Sequence, residues 1–165
     1  MQEFFIEFFG SFARIIVFLH VVSAALLIGS LFVIRFLIKP VFSSIEDEEL
    51  KLKRCLDFLD KYFKMILPVM LILISASLMM NVGLGFEYAS PITSTFVHIK
   101  EAIWLFLVFN FGFMYWKFLN AKKAFKTRDF FEVNENLILV TNCLVPLNLL
   151  LALAAAFMGV TIRGF

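Results

Sequence analysis

Four long apolar runs dominate the chain, at about residues 12–38, 64–86, 96–119 and 136–162. Each exceeds the ~20 residues that a helix rising ~1.5 Å per residue needs to cross a hydrocarbon core of ~30 Å. Lipid offers the backbone no hydrogen-bond partner, so runs of this length are predicted to be helices. Of 165 residues, 62% are hydrophobic and 17% charged, where a soluble domain is about half apolar and about a quarter charged. One core in a chain this short cannot hide so much apolar side chain from water. An ordinary soluble globule, a disordered chain and a nucleic-acid-binding module are excluded on this ground. The expected fold is an all-α integral membrane protein, a single domain over residues 1–165, built as an antiparallel four-transmembrane-helix bundle.

The distribution of Lys and Arg sets the expected orientation. Arg35, Lys39, Lys51, Lys53, Arg54, Lys61 and Lys64 flank or fill the first connection, and Lys117, Lys122, Lys123, Lys126 and Arg128 the third. Only Arg14, Lys100 and Arg163 remain for the opposite side. Both basic connections are therefore expected in the cytoplasm and both termini outside. The acidic start, with Glu3 and Glu7 before the first apolar run, predicts no cleaved secretory signal.

In the first connection, Ser43 and Glu46 read as a capping box. Leu52, Cys55, Leu56, Leu59 and Phe63 then recur at helical spacing, which predicts an amphipathic helix lying at the interface and running into the second span. Residues 87–95, with Pro91, read as a turn, and residues 120–135 as a connection that is first basic and then acidic. Cys55 and Cys143 fall at different depths and are expected to stay unpaired. Pro68 and Pro146 sit inside spans, where each removes a backbone donor and kinks the helix. Ala24, Ala25, Gly29 and Ser30 form a small-residue stripe of the kind that lets helices approach closely.

Ionisable groups within a membrane are expensive and face the bundle interior. His20 lies about eight residues, or ~12 Å, into the first span. It is a candidate ligand to a metal or haem iron, or a proton carrier; the plainer use is a hydrogen bond between helices. His98 opens the third span, which runs in the same direction as the first. Both histidines thus fall in the outer half, on helices that lie diagonally in a four-helix bundle, where two imidazoles can hold a haem b through both axial positions. Glu101, three residues on, shares a face with His98 and is placed to accept its second ring N–H. Lys100 and Arg14 are candidate partners for haem propionates, with snorkelling to the surface as the other use of Lys100. Copper is the alternative cofactor, since thioether and imidazole suit Cu(I): Met79, Met80 and Met158 lie in the same outer half as His20 and His98. Asn110 and Asn142 are placed for an amide bond between the third and fourth spans. No Gly-rich phosphate loop, HExxH motif or intramembrane carboxylate pair occurs, and no Ser–His–Asp set is placed for acyl transfer.

The first span, FLHVVSAALLIGSLFVIRFLIKP, places His20 nine residues before Gly29, then Leu31–Phe32 and Arg35. This resembles the membrane domain of the copper-resistance D (CopD) family and the small four-span HemJ-type protoporphyrinogen oxidases. The third span, VHIKEAIWLFLVFNFGFMYWKF, is similar to the helix that carries a lysine near its start in those families, with Lys100 at that position. The HemJ pattern has a tryptophan just before that lysine, where this chain reads Phe96–Val97–His98. The resemblance covers the first and third spans, about a third of the chain. It implies a haem-binding bundle in a bacterial inner membrane, with His20 as axial ligand and Arg35 and Lys100 as family-type polar positions. The expected function is a b-type haem protein with an electron-transfer or haem-handling role near the outer face. A HemJ-type oxidase and a copper-binding or copper-transporting protein are the alternatives. The expected partners are the lipid bilayer, haem and a redox protein, with a dimer as one oligomeric option.

Overall fold

The computed structural model describes the backbone of residues 2–84 and 91–162, and the side chains of residues 6–84 and 93–161. Within these residues every regular element is helical. Helix α1 (Gln2–Val33) passes through a π-helical turn (Ile34–Ile38) into the short α2 (Lys39–Ser43). Helix α3 spans Glu48–Gly83 and α4 Pro91–Lys126. Helix α5 (Phe130–Ile138) passes through a second π-helical turn (Leu139–Leu144) into α6 (Val145–Ile162). The result is four rods, each long and apolar enough to cross a membrane, packed as a bundle.

The rods outrun the apolar runs because local signals carry the helices past them. The cap before α3 is Asp47, whose carboxylate accepts the Leu50 N–H at 3.0 Å. Ser43, expected to cap that helix, instead ends α2 and donates to the Pro40 carbonyl at 2.8 Å. The expected Ser43–Glu46 box does not form: a single Asp47 carboxylate caps the helix, with Leu50 where a capping box has Glu or Gln. The connection expected over residues 120–135 shrinks to the turn 127–129. Arg128 takes a left-handed φ of 60°, and the Asp129 N–H returns to the Ala124 carbonyl at 3.0 Å. The Asp129 carboxylate then caps α5 through the Glu132 N–H, also at 3.0 Å. Pro91 stands at the first position of α4, where its missing N–H costs nothing; residues 85–90 of that expected turn lie outside the described residues.

The amphipathic stretch forms as predicted but is covered by protein rather than laid on lipid. Leu52, Leu56 and Leu59 are buried in the same apolar cluster as Ala121, Ala124 and Val133. They extend α3 in line and close the end of the bundle that carries the two charged turns. Most of the core lies toward this connection end. Phe63 sits there with ring centroids 5.2 Å from both Tyr115 and Phe118. Asp60 ties α3 to α4 nearby, accepting from Lys122 Nζ at 2.5 Å while pairing with Lys64 at 2.6 Å. At the opposite, terminal end the described residues include a small cluster of Phe9, Ile16 and Ala76, with Ala13, Met79 and Met80 against it.

Both π-helical turns end two residues before a proline, at Pro40 and Pro146. Proline has no N–H, and its ring crowds the carbonyl four residues back. In each turn the backbone widens by one residue, so the Lys39 N–H reaches Ile34 and the Val145 N–H reaches Val140. The two turns pack against each other. Pro68, by contrast, lies inside an uninterrupted α3.

The close approach of helices occurs elsewhere than at the small-residue stripe. A Cβ on Gly29 would meet nothing within 4 Å, whereas one on Gly83 would fall 2.1 Å from Phe9 Cγ. Gly83 is therefore the contact where α1 and α3 nearly touch, at the terminal end. We expect Gly83→Ala to force the Phe9 ring aside and to destabilise the folded protein by about 1–3 kcal/mol. Thermal unfolding in detergent measures this; an unchanged midpoint would show that the ring has room to move.

Candidate functional site

The polar residues of the terminal half gather around two adjoining cavities of about 580 and 500 Å³. Both sizes fall in the ~300–1,000 Å³ range of cofactor and ligand sites. His20 from α1, Met80 from α3, Lys100 and Trp104 from α4 and Gly159 from α6 line both. These five residues form the wall where the cavities meet. The larger cavity lies mainly between α3 and α4, and Leu78 and Leu105, both more than half exposed, line it. The smaller lies between α1 and α6, and Val21 and Val160 line it in the same way. In a membrane these exposed edges face lipid.

Helix periodicity explains the convergence. Lys100 and Trp104 are four residues apart and share a face of α4, and Leu107 continues that face at the bottom of the smaller cavity. On α1, His20 and Ala24 stand one turn apart. The small Ala24, Ala25, Ala152, Ala155 and Ala156 leave space that larger side chains would fill. The stripe of small residues thus makes a cavity rather than a close helix contact. His20 is half-buried, with its Nδ1 shielded from solvent.

A short polar chain edges the larger cavity. Asn81 Nδ2 donates to Glu101 Oε1 at 2.5 Å, and His98 Nδ1 meets Glu101 Oε2 at 3.3 Å. Glu101 thereby links α3 to α4 and holds the His98 ring. The His98 side chain is 74% exposed and lines neither cavity. The structure does not bring the two histidines into one cavity.

The other anticipated residues divide. Lys100 stands at the wall between the cavities, while Arg14 is exposed and lines neither. Of the sulfur groups, Met80 shares both cavities with His20. Met79 packs in the small cluster with Phe9, and half-buried Met158 lines neither cavity. Arg163 lies outside the described residues. Among the described residues no group of three or more His, Cys, Asp or Glu is gathered around one point. Both cysteines are free thiols, half-buried Cys55 and exposed Cys143. Trp104 was not anticipated, although its four-residue spacing from Lys100 was visible in the sequence.

Beyond the cavities toward the connection end, Asn148 is fully buried. Its amide nitrogen lies 3.7 Å from Met114 Sδ, a weak acceptor, and its Oδ1 has no hydrogen-bond partner among the described residues. Asn142, expected to bond Asn110, is instead exposed and meets only the Thr141 hydroxyl at 3.5 Å. The fourth rod turns Asn148, six residues further on, inward in its place. A buried carbonyl oxygen left unmatched costs about 1–3 kcal/mol. The near-isosteric Asn148→Leu is therefore expected to leave the thermal midpoint unchanged or to raise it. A loss greater than about 1 kcal/mol would instead reveal a group that satisfies the amide.

Comparison of the chain with protein-family models, curated proteins and solved structures yields no match.

Proposed function

We propose that this is a haem-binding membrane protein in which the His20 imidazole would hold the iron and Lys100 would pair with a haem carboxylate. The observation that carries the reading is the position of His20: a half-buried imidazole in the wall shared by two apolar cavities, beside a cation and a tryptophan. An imidazole is one of the side chains that ligate haem iron. A flat, mostly apolar macrocycle needs an apolar slot, and its carboxylates need a cation. The residues present fit that group. When bound, haem would supply one-electron chemistry, and the protein would supply ligation, orientation and exclusion of water. Trp104 gives the slot an aromatic wall, and Glu101, held by Asn81, adds a carboxylate at its edge.

The excess of Lys and Arg in the two connections supports a topology with those connections in the cytoplasm and both termini outside. The cavities then lie in the outer half of the membrane. The resemblance of the first and third spans supports a bacterial inner membrane. An electron-transfer or haem-handling role is the activity this arrangement suits, because no further catalytic group is required of the protein. Copper handling is the second reading, favoured by the His20–Met80 pair on one cavity wall.

The test is to purify the protein in detergent from haem-replete cells, record oxidised and reduced visible spectra, and measure extracted haem per chain. A near-stoichiometric pigment whose bands sharpen on reduction supports the reading. A colourless protein rejects it, and one that retains copper on the same preparation favours the second.

A further inference from the structure

We infer that the cavity between α4 and α5, at the connection end, holds the headgroup of one amine-bearing zwitterionic phospholipid, with its phosphate at Lys117 and its ammonium at Glu132 and Glu135. This cavity is separate from those around His20, and the inference does not rest on the haem reading. It measures about 390 Å³, within the ~300–1,000 Å³ range of ligand sites. Lys117 and Asn120, three residues apart on α4, form one wall. Glu132, Glu135 and Asn136, three and four residues apart on α5, form the other, with Ile138 beyond them. The third apolar run ends at about residue 119 and the fourth begins at about residue 136. The cavity therefore stands at the depth where hydrocarbon gives way to headgroups.

Opposite charges line this cavity without meeting. Among the described residues, neither Lys117 nor either glutamate forms an ion pair. The Lys117 ammonium lies instead over the Phe113 and Trp116 rings, 5.8 and 5.2 Å from their centroids. Asn136 is almost wholly buried, and its amide nitrogen donates to the Glu132 carbonyl at 2.8 Å. Its Oδ1 has no hydrogen-bond partner among the described residues, so it keeps an acceptor for a ligand.

Helix direction explains the separation and gives the site its polarity. Helices α4 and α5 pack as an antiparallel pair about the turn 127–129. Counted away from that turn, Lys117 is level with Leu139, deeper in the bundle than Glu135 and Glu132 by roughly 6–10 Å at ~1.5 Å per residue. Side chains lean toward the N-terminus of their helix. The Lys117 stem thus leans into the membrane, toward Phe113 one turn back, and the glutamates lean out toward water. A phospholipid seated from the membrane presents its phosphate first, next to the acyl chains, and its amine beyond. That order matches a deep cation and outer carboxylates, and exposed Ile138 offers the acyl chains an apolar edge.

The lining also selects among headgroups. Two glutamates against one lysine disfavour an anionic lipid. Choline carries its charge without an N–H, whereas a primary ammonium has three donors for Glu132, Glu135 and the Asn136 Oδ1. Phosphatidylethanolamine has the required groups in the required order.

The test titrates delipidated protein in non-ionic detergent with dioleoyl phosphatidylethanolamine, phosphatidylcholine or phosphatidylglycerol and counts retained lipid by native mass spectrometry. Wild type is expected to retain one phosphatidylethanolamine, with a preference of about tenfold over the other two, the size of one charge-assisted hydrogen bond. The double variant Glu132→Gln/Glu135→Gln is expected to bind it no better than phosphatidylcholine. Lys117→Gln is expected to weaken its retention about tenfold. Lys53→Gln, exposed and outside the cavity, is expected to match wild type. Circular dichroism and size exclusion confirm that each variant is folded, and the comparison of lipids on wild type needs no variant. Equal retention of the three lipids by wild type overturns the inference, as does a double variant with the full preference. A loss shared by Lys53→Gln traces the preference to general surface charge and overturns it too. Displacement of the lipid by equimolar water-soluble phosphoethanolamine assigns the cavity to a soluble zwitterion and overturns the lipid assignment.

Discussion

His20→Ala is expected to abolish haem retention, with pigment per chain falling at least roughly tenfold, the loss that even a displaced supporting residue can bring to a metal site. Among the described residues, His20 is the one imidazole in the wall between the two cavities. On the proposed haem reading, alanine would leave the iron without the nitrogen that holds it. The surrounding lining is already loosely filled, so the substitution adds a modest void beside an existing one. Folding should therefore survive, and size-exclusion behaviour and helical circular dichroism should match wild type. That combination, a folded and colourless protein, distinguishes a lost ligand from a lost fold. Full pigment in the variant would remove His20 from the site.

The largest structural effect is expected at Phe63→Ala, which should destabilise the protein by about 3–5 kcal/mol. Phe63 is almost wholly buried and meets three rings, with centroids 5.5 Å away at Tyr62 and 5.2 Å at Tyr115 and Phe118. In lipid the transfer contribution of an apolar side chain is weak, because the alternative environment is itself apolar. The cost here is mainly the void: neighbouring rings lose their dispersion partners and cannot close the gap. Denaturation in mixed micelles reads the effect directly. A loss below about 1 kcal/mol would show that Tyr62, Tyr115 and Phe118 collapse into the space.

The helices were legible because hydropathy in a membrane protein is a long-range, redundant signal: some twenty residues report the same fact. Their ends were less legible. Whether Ser43 or Asp47 caps α3 depends on where the chain leaves α2, and Pro40 and the π-helical turn before it decide that jointly. The length of α5 and the shortness of the turn before it rest on one left-handed residue, Arg128, and no residue preference would mark an arginine for that role. The π-helical turn ahead of Pro146 also shifts the phase of the fourth rod, so a uniform 3.6-residue reading cannot tell Asn142 from Asn148.

At the site, His20 and Lys100 stand out in the sequence because charge and imidazole are conspicuous inside an apolar run, and both line the two cavities. What the residues share was not readable. Depth alone placed His20 and His98 in the same half of the bundle, but rotation about the α4 axis turns His98 to the rim and Lys100 and Trp104 to the cavities. The three methionines looked equivalent for the same reason, and what separates them is that Met80 lines both cavities while Met79 and Met158 line neither. The alanines had two opposite uses open to them, contact or space, and that choice is made by the neighbouring helix rather than by the stripe itself.

The uneven filling of the bundle has a consequence for how such a chain can change over generations. Cohesion is greatest where Leu52, Phe63, Phe118 and Val133 interlock, and the same cluster runs on to Leu27, Leu73, Leu107 and Ala152 in the lining of the smaller cavity, whereas Val21, Leu78, Leu105 and Val160 at the cavity edges are exposed. Replacements confined to the exposed cavity edges therefore draw lightly on the narrow margin that keeps a protein folded. One scaffold can then be retuned to a new ligand by exchanging a few side chains at its loosely filled end, with the other end serving as an unchanged foundation.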